Sequence, residues 1–308
     1  MPKTKGAKNI KPFSEWTTVP TSKGANIRHL SKISGSPLSH FKGIVKHQLN
    51  FLNWVQTRHE YIKALNAQLR ASNLKKTGKG PRGSKDATFT KYRWYAEHLV
   101  LLESINAFET FYKRTFTELG GILQPYVNPS AERIIKINAQ MLWNISGGTV
   151  LPSMIPAIAF EHELFHDLDQ VDSTTDMIIG KRRYNRKISP NPLKDRIRAI
   201  RGAFQVRHTL SHNAGLVIKG DKSNFKTIGF DATESEVIDP SKNRLLKAIL
   251  KELETEASEF TEWLRLGTAE FLVQCIKDRG ASVPLSKRAE LEALLGTDTC
   301  WNKVTWTP

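Results

Sequence analysis

The strongest helical pattern in this chain is the stretch Lys91–Leu119, which reads KYRWYAEHLVLLESINAFETFYKRTFTEL. Its large apolar residues recur three or four positions apart, as they do on one face of an α-helix. This spacing predicts an amphipathic helix that ends at the pair Gly120-Gly121, because glycine commonly terminates helices. The apolar stripe consists of Leu99, Leu102, Ile105, Phe108, Phe111 and Phe116.

Helical spacing recurs on both sides of this stretch. One break follows Gly215, where Leu216-Val217-Ile218 and Thr227-Ile228-Gly229-Phe230 predict a short β-hairpin or an extended loop. A polar, basic loop is expected to separate the third of the remaining helices from the fourth. The sequence therefore predicts an all-α bundle with a minor β element. The remaining helices are predicted over residues 37–70, 130–143, 152–171, 193–211, 240–279 and 285–295.

Charge and glycine content suggest how the chain is divided. Residues 1–36 are polar and basic, which predicts a mostly irregular arm. Residues 37–88 are predicted to form a helical segment followed by a linker, because residues 72–87 are too rich in glycine and charge to pack. Residues 89–266 then form the main helical domain, and residues 267–308 form a helical extension and tail.

The chain is strongly basic. Its 308 residues contain 46 Lys and Arg against 30 Asp and Glu, a net charge of +16. The excess is concentrated in residues 1–88 and again in residues 181–201, just ahead of the motif described below. Such an excess predicts a polyanionic partner, RNA in particular, with a membrane surface as a weaker alternative. The candidate nucleic-acid-binding side chains are Lys181, Arg182, Arg183, Arg186, Lys187 and Arg201.

The cysteine content and the hydropathy indicate the compartment. Only Cys275 and Cys300 are present, so neither a disulfide framework nor a cysteine-based zinc site is expected. No apolar run approaches the roughly 20 residues of a membrane span. The N-terminal residues lack the apolar core of a secretory signal. We therefore expect a cytoplasmic protein without a membrane partner.

One hexapeptide combines the residue types that cleave RNA. It is Arg207-His208-Thr209-Leu210-Ser211-His212, at the end of a predicted helix. RNA cleavage needs a base for the 2′-hydroxyl, an acid for the departing 5′-oxygen and a cation beside the phosphate oxygens. His212 is suited to the proton transfer and Arg207 to the phosphate. This chemistry requires no metal, so no cofactor is predicted.

Helix geometry constrains how the two residues act together. Positions 207 and 212 differ by about 140° around a regular helix, so they do not share a face. Both can reach one phosphate only if the helix distorts or ends there, or if a second copy contributes. Asn213 and Gly215 are typical of helix ends. A two-fold dimer would also bring two Arg-His pairs to one groove.

The hexapeptide resembles the signature of the HEPN superfamily. That signature is an arginine, then commonly Asn, Asp or His, then three residues and a histidine. The context is similar as well: a helix precedes the motif, Asn213-Ala214-Gly215 and an extended segment follow it, and a further long helix comes after. The resemblance covers about residues 90–266 and leaves out residues 1–88 and the C-terminal portion.

The resemblance implies a four- to five-helix bundle that often forms a homodimer with its motifs facing each other. It implies metal-independent endoribonuclease activity in toxin–antitoxin, phage-defence or CRISPR settings, with an antitoxin or a defence complex as a partner. The matching functional residues are Arg207 and His212, with His208 and Asn213 in support. Some HEPN proteins bind RNA without cutting it, and the motif does not exclude that alternative.

A second motif favours a different chemistry. His162-Glu163-Leu164-Phe165-His166 fits the zincin pattern, in which two histidines on one helix face share a zinc and the glutamate activates water. The alternative is therefore a zinc hydrolase that uses His162, Glu163 and His166. However, Asp167 stands where zincins usually have an uncharged residue, and no third ligand is evident. A helix of the bundle with its charged side chains facing outward explains the same residues equally well.

Two further sets of residues have candidate roles. One carboxylate on the helix over residues 91–119 is a candidate to orient Arg207 or His212. Tryptophans among the basic segments are candidates to stack on bases, although core packing is favoured for Trp54 and Trp94. The carboxylates are Glu97, Glu103 and Glu109, and the third tryptophan is Trp16.

Overall fold

Helices build the fold throughout the described part of the chain. The computed structural model describes residues 35–71, 86–127, 160, 163–185, 190–227, 233–240 and 244–308. These residues contain no β-strand, so the predicted all-α class is confirmed. The helices are α1 Pro37–Ala71, α2 Asp86–Leu123, α3 Leu168–Ile179, α4 Lys194–His212, α5 Lys219–Thr227, α6 Leu245–Arg279 and α7 Leu285–Leu295, followed by a 3₁₀-helix, Thr299–Lys303.

Helix α2 forms the centre of the core. Its aromatic rings contact one another and those of neighbouring helices. The ring centroids of Tyr112 and of Phe260 in α6, for example, are 4.9 Å apart. Two predictions for this helix, its end and the burial of Leu99, are wrong. Gly120-Gly121 does not end the helix, since burial of Leu123 favours one further turn. Leu99 is largely exposed instead of continuing the buried stripe.

Helix α1 shares this core. Phe41 and Val45 are buried, and the Phe41 ring lies 5.6 Å from that of Phe108. Residues Gly35–Pro308 form one compact unit, so α1 belongs with the main helices. Residues 1–34 of the predicted arm and residues 72–85 of the predicted linker lie outside the described residues.

The segment before α3 differs from its prediction. A helix was expected over residues 152–171, but residues 163–167 form a turn and α3 begins at Leu168. The Asp167 carboxylate accepts the Asp169 N–H at 3.0 Å and so caps the new helix. Helix α3 then runs to Ile179, in part of the region predicted to be a loop. Apart from Phe160, the rest of the predicted helix lies outside the described residues, as does the one predicted over residues 130–143.

The predicted hairpin after Gly215 is not confirmed. One antiparallel bridge joins Leu216 to Val237, and helix α5 occupies the chain between them. Burial of Phe225 explains the helix, because its ring lies in the core. Residues 228–232 lie outside the described residues. The predictions for α1, α4, α6 and α7 are confirmed to within a few residues. None of the described helices is long and apolar enough to span a bilayer.

Candidate active site on helix α4

The Arg-His motif lies at the C-terminal end of α4. Burial of Ile197, Ile200, Phe204 and Leu210 holds the opposite face of this helix in the core, as their spacing predicts. His212 is the last helical residue, and the Asn213 N–H closes the helix by donating to the Thr209 carbonyl at 3.0 Å. Gly215 follows at φ +84°, a backbone conformation that favours glycine. The predicted helix end is therefore confirmed.

Arg207 is paired with a carboxylate of α2. Its Nη1 donates to Oε2 of Glu109 at 2.6 Å. The other oxygen of the same carboxylate, Oε1, lies 3.2 Å from Nδ1 of His166. Glu109 therefore connects the motif arginine to a histidine from the turn before α3. Of the three candidate carboxylates it is the one that contacts the motif, whereas Glu97 accepts from Arg93.

The histidines of the motif lie on another face of α4. The rings of His208 and His212 are 4.6 Å apart between centroids, as expected for positions four residues apart. Both side chains are exposed. Because α4 remains helical to His212, Arg207 stays about 140° away from it. Within one protomer the structure thus brings Arg207 to His166 and brings His208 to His212.

A cleft reaches one histidine of each group, His166 and His208. It has a volume of about 510 Å³ and lies between α4, α5 and the turn before α3. Two imidazoles and a guanidinium reach it together. Such a set can bind an anion and transfer protons. The lining residues are His166, Asp167, Arg201, Phe204, Gln205, His208, Asn224 and Thr227.

A buried carboxylate fixes the cleft walls. Asp221 of α5 accepts from Nε2 of Gln205 at 3.1 Å and from Nδ2 of Asn213 at 2.9 Å. Asp221 is 3% exposed, so these charge-assisted hydrogen bonds are shielded from water. The hydrogen bond from Asn213 therefore holds α5 against the end of α4.

The predicted basic residues are dispersed. Arg201 lines the cleft. Lys181 pairs with Glu270, and Nη2 of Arg182 lies 2.9 Å from Oδ2 of Asp176. The Arg183 side chain is buried, with Nε 2.8 Å from Glu256. Acidic partners therefore offset three of these charges locally. The remaining two, Arg186 and Lys187, lie outside the described residues.

The zinc alternative requires a helical motif, and the described residues of that motif are not helical. His166 and Glu163 lie in a non-helical segment, so the shared helix face that zincins use is absent there. His162 lies outside the described residues. Nδ1 of His166 faces Glu109. Within the described ranges, no group of three or more His, Cys, Asp or Glu side chains has a metal-binding arrangement.

For one residue of this site, the sequence pattern predicts a different role. His166 was considered only as a zinc ligand, whereas the structure places it beside Glu109 and in the cleft. The two residues are 57 positions apart, so no local pattern connects them. The prediction of core packing for Trp54 is also wrong, since 63% of its surface is exposed. Trp94 is half-buried against His98, and Trp16 lies outside the described residues.

The chain matches no protein-family profile, no curated protein and no solved structure.

Proposed function

We propose that this chain is a metal-independent endoribonuclease of HEPN type that acts in the cleft on α4. The observation that carries the proposal is the link from Arg207 through Glu109 to His166, beside a cleft that His208 and Arg201 also line. This arrangement places an oriented imidazole, a second imidazole and a cation at one opening. Those are the groups that phosphodiester cleavage requires.

The carboxylate gives His166 a defined role. With its Nδ1–H donated to Glu109, the ring leaves Nε2 as an acceptor, which is the tautomer that a general base needs. His166 would take the proton from a 2′-hydroxyl as that oxygen bonds to phosphorus. The bond to the 5′-oxygen breaks, and the oxygen takes a proton from His212. The products are a 2′,3′-cyclic phosphate and a 5′-hydroxyl.

The exposed position of His212 suits a second copy of the chain. His212 ends α4 about 140° from Arg207, so one helix does not direct both side chains at one phosphate. A homodimer with facing α4 helices would supply His212 of one protomer to the cleft of the other. An antitoxin or defence-complex partner stays a prediction from the resemblance.

The test is incubation of the purified chain with mixed RNA, with and without chelator. We expect cutting that survives chelator and leaves 2′,3′-cyclic phosphate ends. Arg207→Ala and His212→Ala should each lower the rate by about 100-fold or more, and Glu109→Gln by about tenfold or more. Arg288→Ala is the matched control, because it breaks a partly exposed Arg–Glu pair elsewhere, with Glu292 at 2.8 Å. Undiminished cutting by both motif variants would refute the proposal.

A second candidate is an RNA-binding protein of the same fold that does not cut. The observation that favours it is the ion pair itself, because Glu109 offsets the charge that Arg207 would present to a phosphate. This candidate predicts salt-sensitive RNA binding with no cleavage product at any enzyme concentration. Product analysis in the same incubation distinguishes the two.

A further inference from the structure

The outer half of α1 carries a stripe of exposed apolar side chains. Trp54 and Tyr61 are 63% and 58% exposed, and the aliphatic residues beside them are exposed as well. Their positions fall within about 100° of the helix circumference, so they form one continuous face. We call this face the α1 stripe. It consists of Phe51, Trp54, Arg58, Tyr61, Ile62 and Leu65.

The stripe is separate from the face that α1 turns to α2. On that inner face the His59 ring stacks on Phe89 at 3.6 Å, and Gln56 accepts from Arg93 at 3.0 Å. The core contacts of α1 lie nearer its N-terminus, at Phe41 and Val45. Contacts with α2 therefore fix this part of α1 while the stripe faces solvent. A contiguous exposed apolar face is typical of an interaction site.

The charge around the stripe indicates the class of partner. Arg58 lies in the middle of it, with its guanidinium carbon 5.7 Å from the centre of the Tyr61 ring. In sequence, residues 37–71 contain five Lys and Arg and one acidic residue, Glu60. A second copy would bring two such positive surfaces together, whereas a polyanion would be attracted.

We propose that the α1 stripe binds single-stranded nucleic acid. Bases stack on the rings of Trp54 and Tyr61, and Arg58 contacts the phosphate between them. Flat aromatic faces interleaved with cations are suited to unpaired bases, because every base has a face that can stack. The site is distinct from the cleft on α4, so it would bind a strand whether or not the cleft cuts RNA.

The test uses the full chain and a fluorescently labelled oligo(dT) strand at low salt. A deoxy strand lacks the 2′-hydroxyl, so it reports binding without cleavage. The double variant Trp54→Ala/Tyr61→Ala should raise the dissociation constant by about tenfold or more, from the loss of two stacking platforms. Trp54→Phe/Tyr61→Phe keeps the aromatic faces and should retain most of the affinity. Leu285→Ala, at an exposed apolar position on α7, controls for general surface effects.

Salt dependence tests the role assigned to the cation. Arg58→Ala should lower the slope of log affinity against log salt by about 0.7, the value for one phosphate contact on a single strand. Arg58→Lys should keep the slope. Because these side chains are exposed, circular dichroism and the melting temperature of each variant should match those of the original chain. A misfolded double variant would be replaced by Trp54→Ala and Tyr61→Ala singly, each expected to weaken binding about fivefold.

Three results would overturn the proposal. One is unchanged oligo(dT) affinity in the alanine variants. Another is equal affinity of the original chain for single-stranded and duplex DNA, which would leave charge alone as the cause. The third is a change from dimer to monomer in the double variant without loss of affinity, which would make the stripe a self-association surface. Loss of RNA cutting without loss of oligo(dT) binding would concern the cleft and not the stripe.

Discussion

Two Arg–Glu pairs in this molecule differ in their access to water. The pair between Arg183 and Glu256 is shielded from water, with side-chain exposures of 8% and 0%, and we call it the sealed pair. The pair between Arg207 and Glu109 borders the cleft, with exposures of 29% and 18%. Both arginines lie in strongly basic or motif-bearing sequence, and both pair with a glutamate of a distant helix. Accessibility is therefore what separates a structural ion pair from a candidate site here.

The sealed pair is part of a larger polar cluster. Arg183 donates through Nε and Nη2 to the two oxygens of Glu256, at 2.8 and 3.1 Å. The Tyr184 hydroxyl donates to the same carboxylate at 2.6 Å and lies 2.6 Å from the Tyr112 hydroxyl. Asp172 accepts the backbone N–H groups of Arg183 and Tyr184. The polar groups of this cluster have partners within the fold, so it has little capacity for a ligand.

Electrostatics keep the two tyrosines and the arginine of this cluster in one protonation state. Burial raises the pKa of Tyr112 and Tyr184 well above the ordinary value, so both hydroxyls stay protonated. Burial also disfavours the charge on Arg183, but the hydrogen bonds and charge of Glu256 outweigh it, and the pKa of Arg183 is raised. The cluster is thus a permanent structural element. The cleft instead presents the exposed imidazoles of His166 and His208 to solvent.

The largest expected difference between the two pairs is in stability. Glu256→Gln removes the buried anion of Arg183 and leaves it only the longer contact with the more exposed Glu259 at 3.4 Å, so it should lower the free energy of unfolding by about 3–5 kcal/mol. Glu109→Gln should lower it by less than about 1 kcal/mol, because its pair lies at a wetter, partly exposed site. Urea unfolding of both variants measures the contrast. Similar losses in the two variants would show that access to water does not separate the pairs.

Exchange of arginine for lysine tests the geometry of the same pairs. Arg183→Lys cannot contact both oxygens of Glu256 at once, and we expect a loss of about 2 kcal/mol in the free energy of unfolding. Arg207 uses one nitrogen on Glu109, so Arg207→Lys should cost less than about 0.5 kcal/mol. Thermal melts of the two variants, run together, provide the comparison. An equal cost would mean that the bidentate contact contributes nothing.

The sequence predicted much of the helical framework because apolar spacing over long helices is a strong signal. The bounds of α4, α6 and α7 follow from such spacing. It did not predict that Arg183 points inward while Arg201 reaches the cleft. Both lie in one basic run, and the difference depends on Glu256, which is 73 residues from Arg183. The pairing of Glu109 with His166 likewise depends on how α2 meets the turn before α3.

The smallest expected effect concerns a histidine where α2 meets the motif helix. Burial lowers the pKa of His98 below its ordinary 6.5, although a hydrogen bond to the Leu210 backbone opposes the shift. Leu210 lies between Arg207 and His212, so His98 reports how firmly the motif end of α4 is held. A histidine with a lowered pKa in the folded state binds fewer protons there than in the unfolded state. Its contribution to stability is therefore complete above pH 6.5 and is lost as the pH falls below that value.

His98→Gln should remove this contribution and make the free energy of unfolding less dependent on pH below 6.5. Urea unfolding at a series of pH values, taken as the difference between the variant and the original chain, isolates it from His40, whose pKa burial also lowers. A ring that stays buried in the folded state gives a clear difference in slope, which the hydrogen bond to the Leu210 backbone makes smaller. Parallel curves would mean that water reaches the ring in the folded state, and so that the ring is not held firmly against the motif end of α4.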